Sequence, residues 1–132
     1  MEQMKEPLRY LENAKEILKK SSIEDDIYLD KKYVRQAMGA AYIGILEAIN
    51  ELLLQKGYTK KELPKKVEEY EKALKREFGA YNGRLLREFD MLYDTLHIWG
   101  YYRGTITSVL IVKDALKLAR AFIEKLSRAV KS

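Results

Sequence analysis

At 132 residues, with 47% hydrophobic and 34% charged, the chain fits one well-solvated globular domain spanning 1–132. Cysteine is absent, which excludes a disulfide framework and any thiolate metal site, and two prolines with seven glycines argue against a loop-rich fold. The net charge of +5 permits an acidic partner such as nucleic acid without requiring one. No signal peptide or hydrophobic anchor is read from the sequence, so a cytoplasmic location is expected.

Residues 1–5 read as a frayed end. Pro7 suits the first turn of a helix. Leu8, Leu11 and Leu18, flanked by Tyr10, Ala14 and Ile17, give an amphipathic first helix to about Lys20. Glu12 and Glu16 face Lys15 and Lys19 on its outer side. Residues 21–29, with Glu24, Asp25 and Asp26, break that pattern and read as a loop.

The central helix, residues 30–57, contains ten positions (37–46) without a charge or an amide. It carries three stripes at helical spacing: Val34, Met38, Ala41, Ile45, Ala48 and Leu52; then Tyr42, Leu46, Ile49 and Leu53; then Tyr33, Ala37, Ala40 and Gly44. A helix apolar on nearly all sides is buried on several of them. The third stripe is small, which lets another backbone approach closely. Gly39 and Gly44 each cost roughly 1 kcal/mol against alanine, consistent with tight packing. Asp30 suits the N-cap, Lys56 the last turn and Gly57 the stop. The uncharged run is too short for a membrane span of roughly 20 residues, so no membrane association is expected.

Residues 58–63 form a connection. Thr59 and Glu62 have capping-box spacing, and Pro64 suits a slightly later start; both starts stay open. A third, shorter helix places Val67, Tyr70, Leu74 and Phe78 on one side, with charges elsewhere from Lys65 to Glu77. Gly79 and the Asn82-Gly83 pair mark a break. The fourth helix has Leu85, Phe89, Leu92, Leu96 and Trp99 in steps of four and three, until residues 100–104 interrupt it. The last carries Val109, Val112, Leu116, Ala119, Ile123, Leu126 and Val130, widened by Ile111, Ala115, Leu118 and Phe122. No strand pattern is predicted anywhere. The expected fold is all-α, an up-and-down four-helix bundle with an extra short helix.

A first helix, a long alanine-rich second helix (YVRQAMGAAYIGILEAINELLLQKG), a short charged helix and two long helices follow one another in this order. This order resembles the HEPN superfamily of helical bundles. Tyr10-Leu11-Glu12-Asn13-Ala14, Asp30-Lys31-Lys32-Tyr33-Val34 and Leu96-His97-Ile98-Trp99-Gly100-Tyr101-Tyr102 resemble more closely a bacterial HEPN-like family whose domain has no known function. The resemblance covers nearly the whole chain. It implies several roles. Active HEPN members are metal-independent ribonucleases, often toxins, with an Arg-x4–6-His motif near the fourth helix. Others bind nucleotides or pair with a nucleotidyltransferase, and many dimerise with the motif near the dimer cleft. This sequence departs from the active pattern. Its one histidine, His97, has no arginine at the required spacing: Arg87 lies too far back, and no correctly spaced histidine follows Arg84, Arg87 or Arg103. Tyr102 follows His97 at that spacing without supplying the residue types.

Asp90, Asp94 and His97 fall on one side of a helix. A di-metal bundle site needs two Glu-x-x-His units, and a single Asp-x-x-His points instead to an acidic rim beside a hydrogen-bonded histidine. Neither metal nor cofactor is expected. His97, Trp99, Tyr101, Tyr102 and Arg103 form the most distinctive stretch and are the candidate binding residues. Aromatic rings beside an arginine can stack a base or hold an anion. The plainer reading, which is favoured, has Trp99 continuing the apolar stripe and the tyrosines packing with wet hydroxyls. Lys60, Lys61, Lys65 and Lys66 are offset by Glu62, Glu68, Glu69 and Glu71. The last helix, with Lys113, Lys117, Arg120, Lys125, Arg128 and Lys131 against Asp114 and Glu124, is the better electrostatic candidate. No phosphate-binding glycine loop, Ser/His/Asp set or cysteine nucleophile is present. The expected function is a non-catalytic binding or interaction module, homodimeric. The alternative is a degenerate ribonuclease that binds RNA or nucleotide weakly, in a toxin–antitoxin-type system with a nucleotidyltransferase-like partner.

Overall fold

The computed structural model describes residues 4–78 and 83–131; the predicted break at Gly79 and Asn82, and the side chains of Val130 and Lys131, lie outside what it describes. Helix α1 (Lys5–Leu18) buries Pro7, Leu11, Ala14 and Leu18 along one face, as their spacing of three and four dictates. Its outer face carries exposed pairs three residues apart, Arg9–Glu6, Lys15–Glu12 and Lys19–Glu16, at 3.2, 3.5 and 2.9 Å. Exposed pairs of this kind contribute little to stability.

The loop that follows corrects the expectation of a strand-free chain. β1 (Ile23–Glu24) and β2 (Ile27–Tyr28) pair antiparallel, Ile23 opposite Tyr28 and Glu24 opposite Ile27. Asp25 and Asp26 turn between them at φ of 51° and 62°. Two successive left-handed residues are what a tight hairpin turn needs, and aspartate tolerates that region better than bulkier side chains. Two residues per strand are too few to register as alternation, which is why the sequence pattern is silent. The hairpin is tied to a distant segment: the Tyr28 N–H donates to the Thr107 carbonyl at 2.9 Å, and the Val109 N–H to that of Asp26 at 3.0 Å.

The uncharged centre folds as α2 (Lys31–Gln55), which buries eleven residues. Asp30 sits at its N-cap position, but its carboxylate accepts the Ser22 N–H (3.4 Å) rather than a helix amide. At the other end the Gly57 N–H reaches the Leu54 carbonyl and the Tyr58 N–H that of Leu53, at 3.1 and 3.0 Å. Gly57 takes φ 101° to allow this, so the predicted glycine stop is the left-handed residue that closes the helix. On length and composition α2 could cross a bilayer, with mean hydropathy 1.4, yet 56% of that window is buried inside the protein itself.

One turn of 3₁₀ helix (Lys60–Glu62) starts at Thr59, whose N–H donates to the Glu62 carboxylate at 2.8 Å. The longer helix starts after Pro64 as α3 (Val67–Phe78), burying Tyr70, Ala73, Leu74 and Phe78. Each predicted start therefore begins a different element. α4 (Arg84–Leu92) runs without interruption into a π-helical segment, Tyr93–Tyr102, and α5 (Val109–Lys131) closes the chain. The fold is all-α, 77% helical, with the small hairpin as an addition.

α2 is the shared partner: α1, the π segment and α5 all pack on it, α1 most extensively. Phe89, Leu92, Leu96, Phe122, Ile123 and Leu126 complete a core in which Ile45, Ile49 and Leu52 are fully enclosed. The small stripe does what its size implies. A Cβ on Gly44 would lie 2.9 Å from the Pro7 carbonyl oxygen and 3.0 Å from the Tyr10 Cβ, so the α1 backbone rests directly on α2 there. Gly44→Leu is expected to overpack this crossing and to lower unfolding free energy by about 1–3 kcal/mol or more in urea titration. A variant that melts with the wild type would place Gly44 outside the contact.

Candidate functional site

The candidate residues ride on the π segment. A helix that closes i to i+5 is rare beyond a single turn, and such turns concentrate at functional or strained places. Here the run covers ten residues. Gly100 lets it lie on α2, since a Cβ there would come within 2.8 Å of the Met38 Cβ. Arg35 of α2 caps its end, donating from Nε to the Tyr101 carbonyl (2.9 Å) and from Nη2 to that of Tyr102 (3.0 Å). The Arg103 N–H takes the Ile98 carbonyl at 2.8 Å and the Thr105 N–H that of Trp99 at 3.1 Å. Gly104, at φ 63°, turns the chain directly against Arg35, where a Cβ would sit 2.7 Å from Cδ. The carbonyls that a helix end leaves without partners are thus mostly satisfied.

This wide coil rearranges the aromatics. Residues four apart come nearly into line, so Tyr93, His97 and Tyr101 form a column. His97 is 5.4 Å from the Tyr93 ring and 6.0 Å from the Tyr101 ring, and Tyr42 of α2 stacks on it at 4.9 Å. Burial, and then the neighbouring Tyr93, push the Tyr42 hydroxyl far above its ordinary range, so it stays protonated. Among the described residues His97 has ring contacts but no hydrogen-bond or ion-pair partner, which corrects the expectation of a hydrogen-bonded histidine.

Trp99 also departs from expectation. It is 49% exposed and does not continue the stripe of Phe89, Leu92 and Leu96. The change from α to π geometry after Leu92 rotates position 99 off the buried face. The Arg103 guanidinium lies 5.2 Å over the Trp99 ring. Tyr101 leans on Gly39, and Tyr102, at 67%, stands largely in water. The five residues therefore divide into three parts: a His97–Tyr101 stack, a Trp99–Arg103 pair, and an outlying Tyr102.

Asp90 and Asp94 do not join His97 as ligands, and no group of three or more histidine, aspartate and glutamate side chains among the described residues is placed to hold a metal. Asp90 pairs instead with Glu71 of α3. That hydrogen bond, then burial, then the negative charges of Asp90, Glu68 and Asp94 raise the Glu71 carboxyl to about 7. One buried oxygen of Asp90 has no hydrogen-bond partner among the described residues. The pattern-based reading missed this pair, because Glu71 and Asp90 belong to different helices. It also missed a cavity between α1, the hairpin and α5, although Lys113, Lys117 and Arg120, spaced four and three apart, signal a common face.

Fold and site define a small helical protein with an aromatic π-helical segment braced on its core helix. Across residues 2–128 the chain matches the family described as a domain of unknown function (DUF5618), and it belongs to that family. It is similar to a solved protein of unknown function from Dyadobacter fermentans, at 30% identity and TM-score 0.78, covering 96% of this chain and 94% of that one. None of the curated proteins shows significant similarity to the chain.

The raised Glu71 carboxyl has a defined pH consequence. The folded state holds this proton above the ordinary glutamate value of 4.5, whereas the unfolded chain releases it there. Stability from this group is therefore present below pH 4.5 and falls as pH rises through about 7. Urea unfolding between pH 5 and pH 8 is expected to show that decline in the wild type and a flatter profile in Glu71→Gln. Equal slopes in both would show that Glu71 does not keep the proton.

Proposed function

We propose that the chain is a HEPN-like, up-and-down bundle in which α1, α2, the α4–π run and α5 are the four long members and α3 the extra short one. It serves as a non-catalytic binding or interaction module in the cytoplasm, homodimeric, with residues 97–103 as its contact surface. One observation carries this reading. Trp99 and Tyr102 are displayed outward from a segment whose final carbonyls are fixed by Arg35. Large apolar rings held outward on a braced backbone are characteristic of contact surfaces. His97, which a ribonuclease of this class would need as its proton-exchanging group, is instead clamped among tyrosine rings without a fixed cation beside it.

A second reading, weak RNA or nucleotide binding beside a nucleotidyltransferase-like partner, has its own support. Arg103 stacked on Trp99 beside exposed tyrosines is the chemistry that holds a base and attracts its phosphate.

Two measurements separate these outcomes. RNA incubated with the protein in EDTA is expected to remain intact, with at most weak, salt-sensitive binding seen as quenching of Trp99, the only tryptophan. Robust cleavage that disappears in a His97→Ala, Tyr102→Phe variant would overturn the non-catalytic reading. In sedimentation at tens of micromolar protein, a dimer of the 15.5 kDa chain is expected. A clean monomer would remove the homodimer from the proposal.

A further inference from the structure

A second site, sharing no residue with the aromatic segment, lies where α1, the hairpin and α5 meet. They border a half-open cavity of about 490 Å³. That is within the range of roughly 300–1,000 Å³ typical of small-molecule sites. Its walls are mostly aliphatic: Leu11 and Leu18 from α1, Ile23 from the hairpin, Leu116 from α5. Its rim is basic on both sides, with Lys15 of α1 and Lys19 just past its end, and Lys113, Lys117 and Arg120 of α5; among the described residues no acidic one lines it.

The rim charges are unequal. Glu12 engages Lys15 at 3.5 Å and Arg120 at 3.7 Å, and Glu16 engages Lys19 at 2.9 Å. Among the described residues Lys113 and Lys117 have no ion-pair partner, so two cations one helical turn apart stand over an apolar cleft uncompensated. Lysine places its stem along apolar surface and its ammonium at the mouth, which suits such a rim. The remaining polar lining is sparse. The Ser21 hydroxyl already donates to the Ser22 carbonyl (3.0 Å) and accepts the Asp30 N–H (3.1 Å). Little is left to recognise a sugar or a base edge. Tyr28 is 5% exposed, lines the cavity, and its hydroxyl has no hydrogen-bond partner among the described residues.

We propose that this cavity binds a free single-chain amphiphilic anion, with its aliphatic tail against Leu11, Leu18, Ile23 and Leu116. Its one anionic head, carboxylate or phosphate, is held by Lys113 and Lys117. Charge complementarity selects the head, and the aliphatic wall selects the tail. Neither half of the site is suited to the other half of the ligand.

Calorimetric titration of the full chain with octanoate, octyl phosphate, octanol and inorganic phosphate tests this. Octanoate, octyl phosphate or both are expected to bind saturably at one per chain, whichever is tighter identifying the natural head. Octanol should bind on the order of tenfold more weakly, and inorganic phosphate should not saturate. Lys113→Gln with Lys117→Gln, both exposed, should weaken the anions about tenfold while leaving octanol binding and the melting temperature unchanged. Ile23→Asp, on the exposed hairpin, should weaken all three tailed ligands. The proposal is overturned if neither anion saturates, if octanol binds as tightly as octanoate, or if the double lysine variant binds like the wild type. Flotation with anionic phosphatidylglycerol vesicles that persists in Ile23→Asp would assign the basic rim to a membrane surface and overturn it equally.

Discussion

The contact on which the rest depends is backbone against helix at Gly44. Because Gly44 carries no side chain, the α1 backbone at Pro7 comes directly against α2, and the flanking residues Leu11, Ala14, Ala41, Ile45 and Ala48 are drawn out of water together. Another side of α2 repeats the device with the glycine on the partner: Gly100 of the π segment rests on Met38. A helix gripped this tightly on two sides has little freedom to rotate. That fixes where Arg35 points, and Arg35 in turn holds the end of the π segment. The display of Trp99 and Tyr102 is thus a downstream result of small residues in the core.

Charge is handled in three different ways around this frame. Arg35 spends its guanidinium on neutral carbonyls, so its role is geometric rather than ionic. Glu71 and Asp90 bring two acids together across the α3–α4 contact, which raises the Glu71 carboxyl. On α5 the lysines facing the hairpin are left without counter-charges, while Lys125 on the same helix is neutralised by Glu88.

Much of the helical skeleton was legible because long apolar periodicities are strong signals. The stripes of α2, the run from Val109 to Leu126 on α5 and the Gly57 stop lie where spacing places them, whereas Ile111 and Leu118, expected to widen the α5 face, are exposed; the close approach expected at the small stripe is made by α1 at Gly44. The misses share a cause: they depend on contacts between residues remote in sequence. Nothing in Leu92-Tyr93-Asp94 announces a switch to i to i+5 bonding, since the bonds that stabilise its end come from Arg35, and so the exposure of Trp99 could not be inferred from a stripe drawn at α spacing. The hairpin at residues 23–28 is likewise held partly by residues 107–109. Tyr42 over His97 and Glu71 against Asp90 are contacts between helices, visible only once the helices are docked.

That small hairpin has a kinetic meaning. Ile27 bridges to Ser108, about eighty residues further along the chain, whereas α1 and α2 meet across a short connection. Closing the longer loop loses more chain entropy, so it is favoured only after much of the interior is assembled. The α1–α2 pair is the natural nucleus, and seating of the hairpin against the start of α5 is the latch that closes last. The cavity bordered by α1, the hairpin and α5 is completed by that same latch, so its walls come together only in the final stage of folding and open first if the latch lets go.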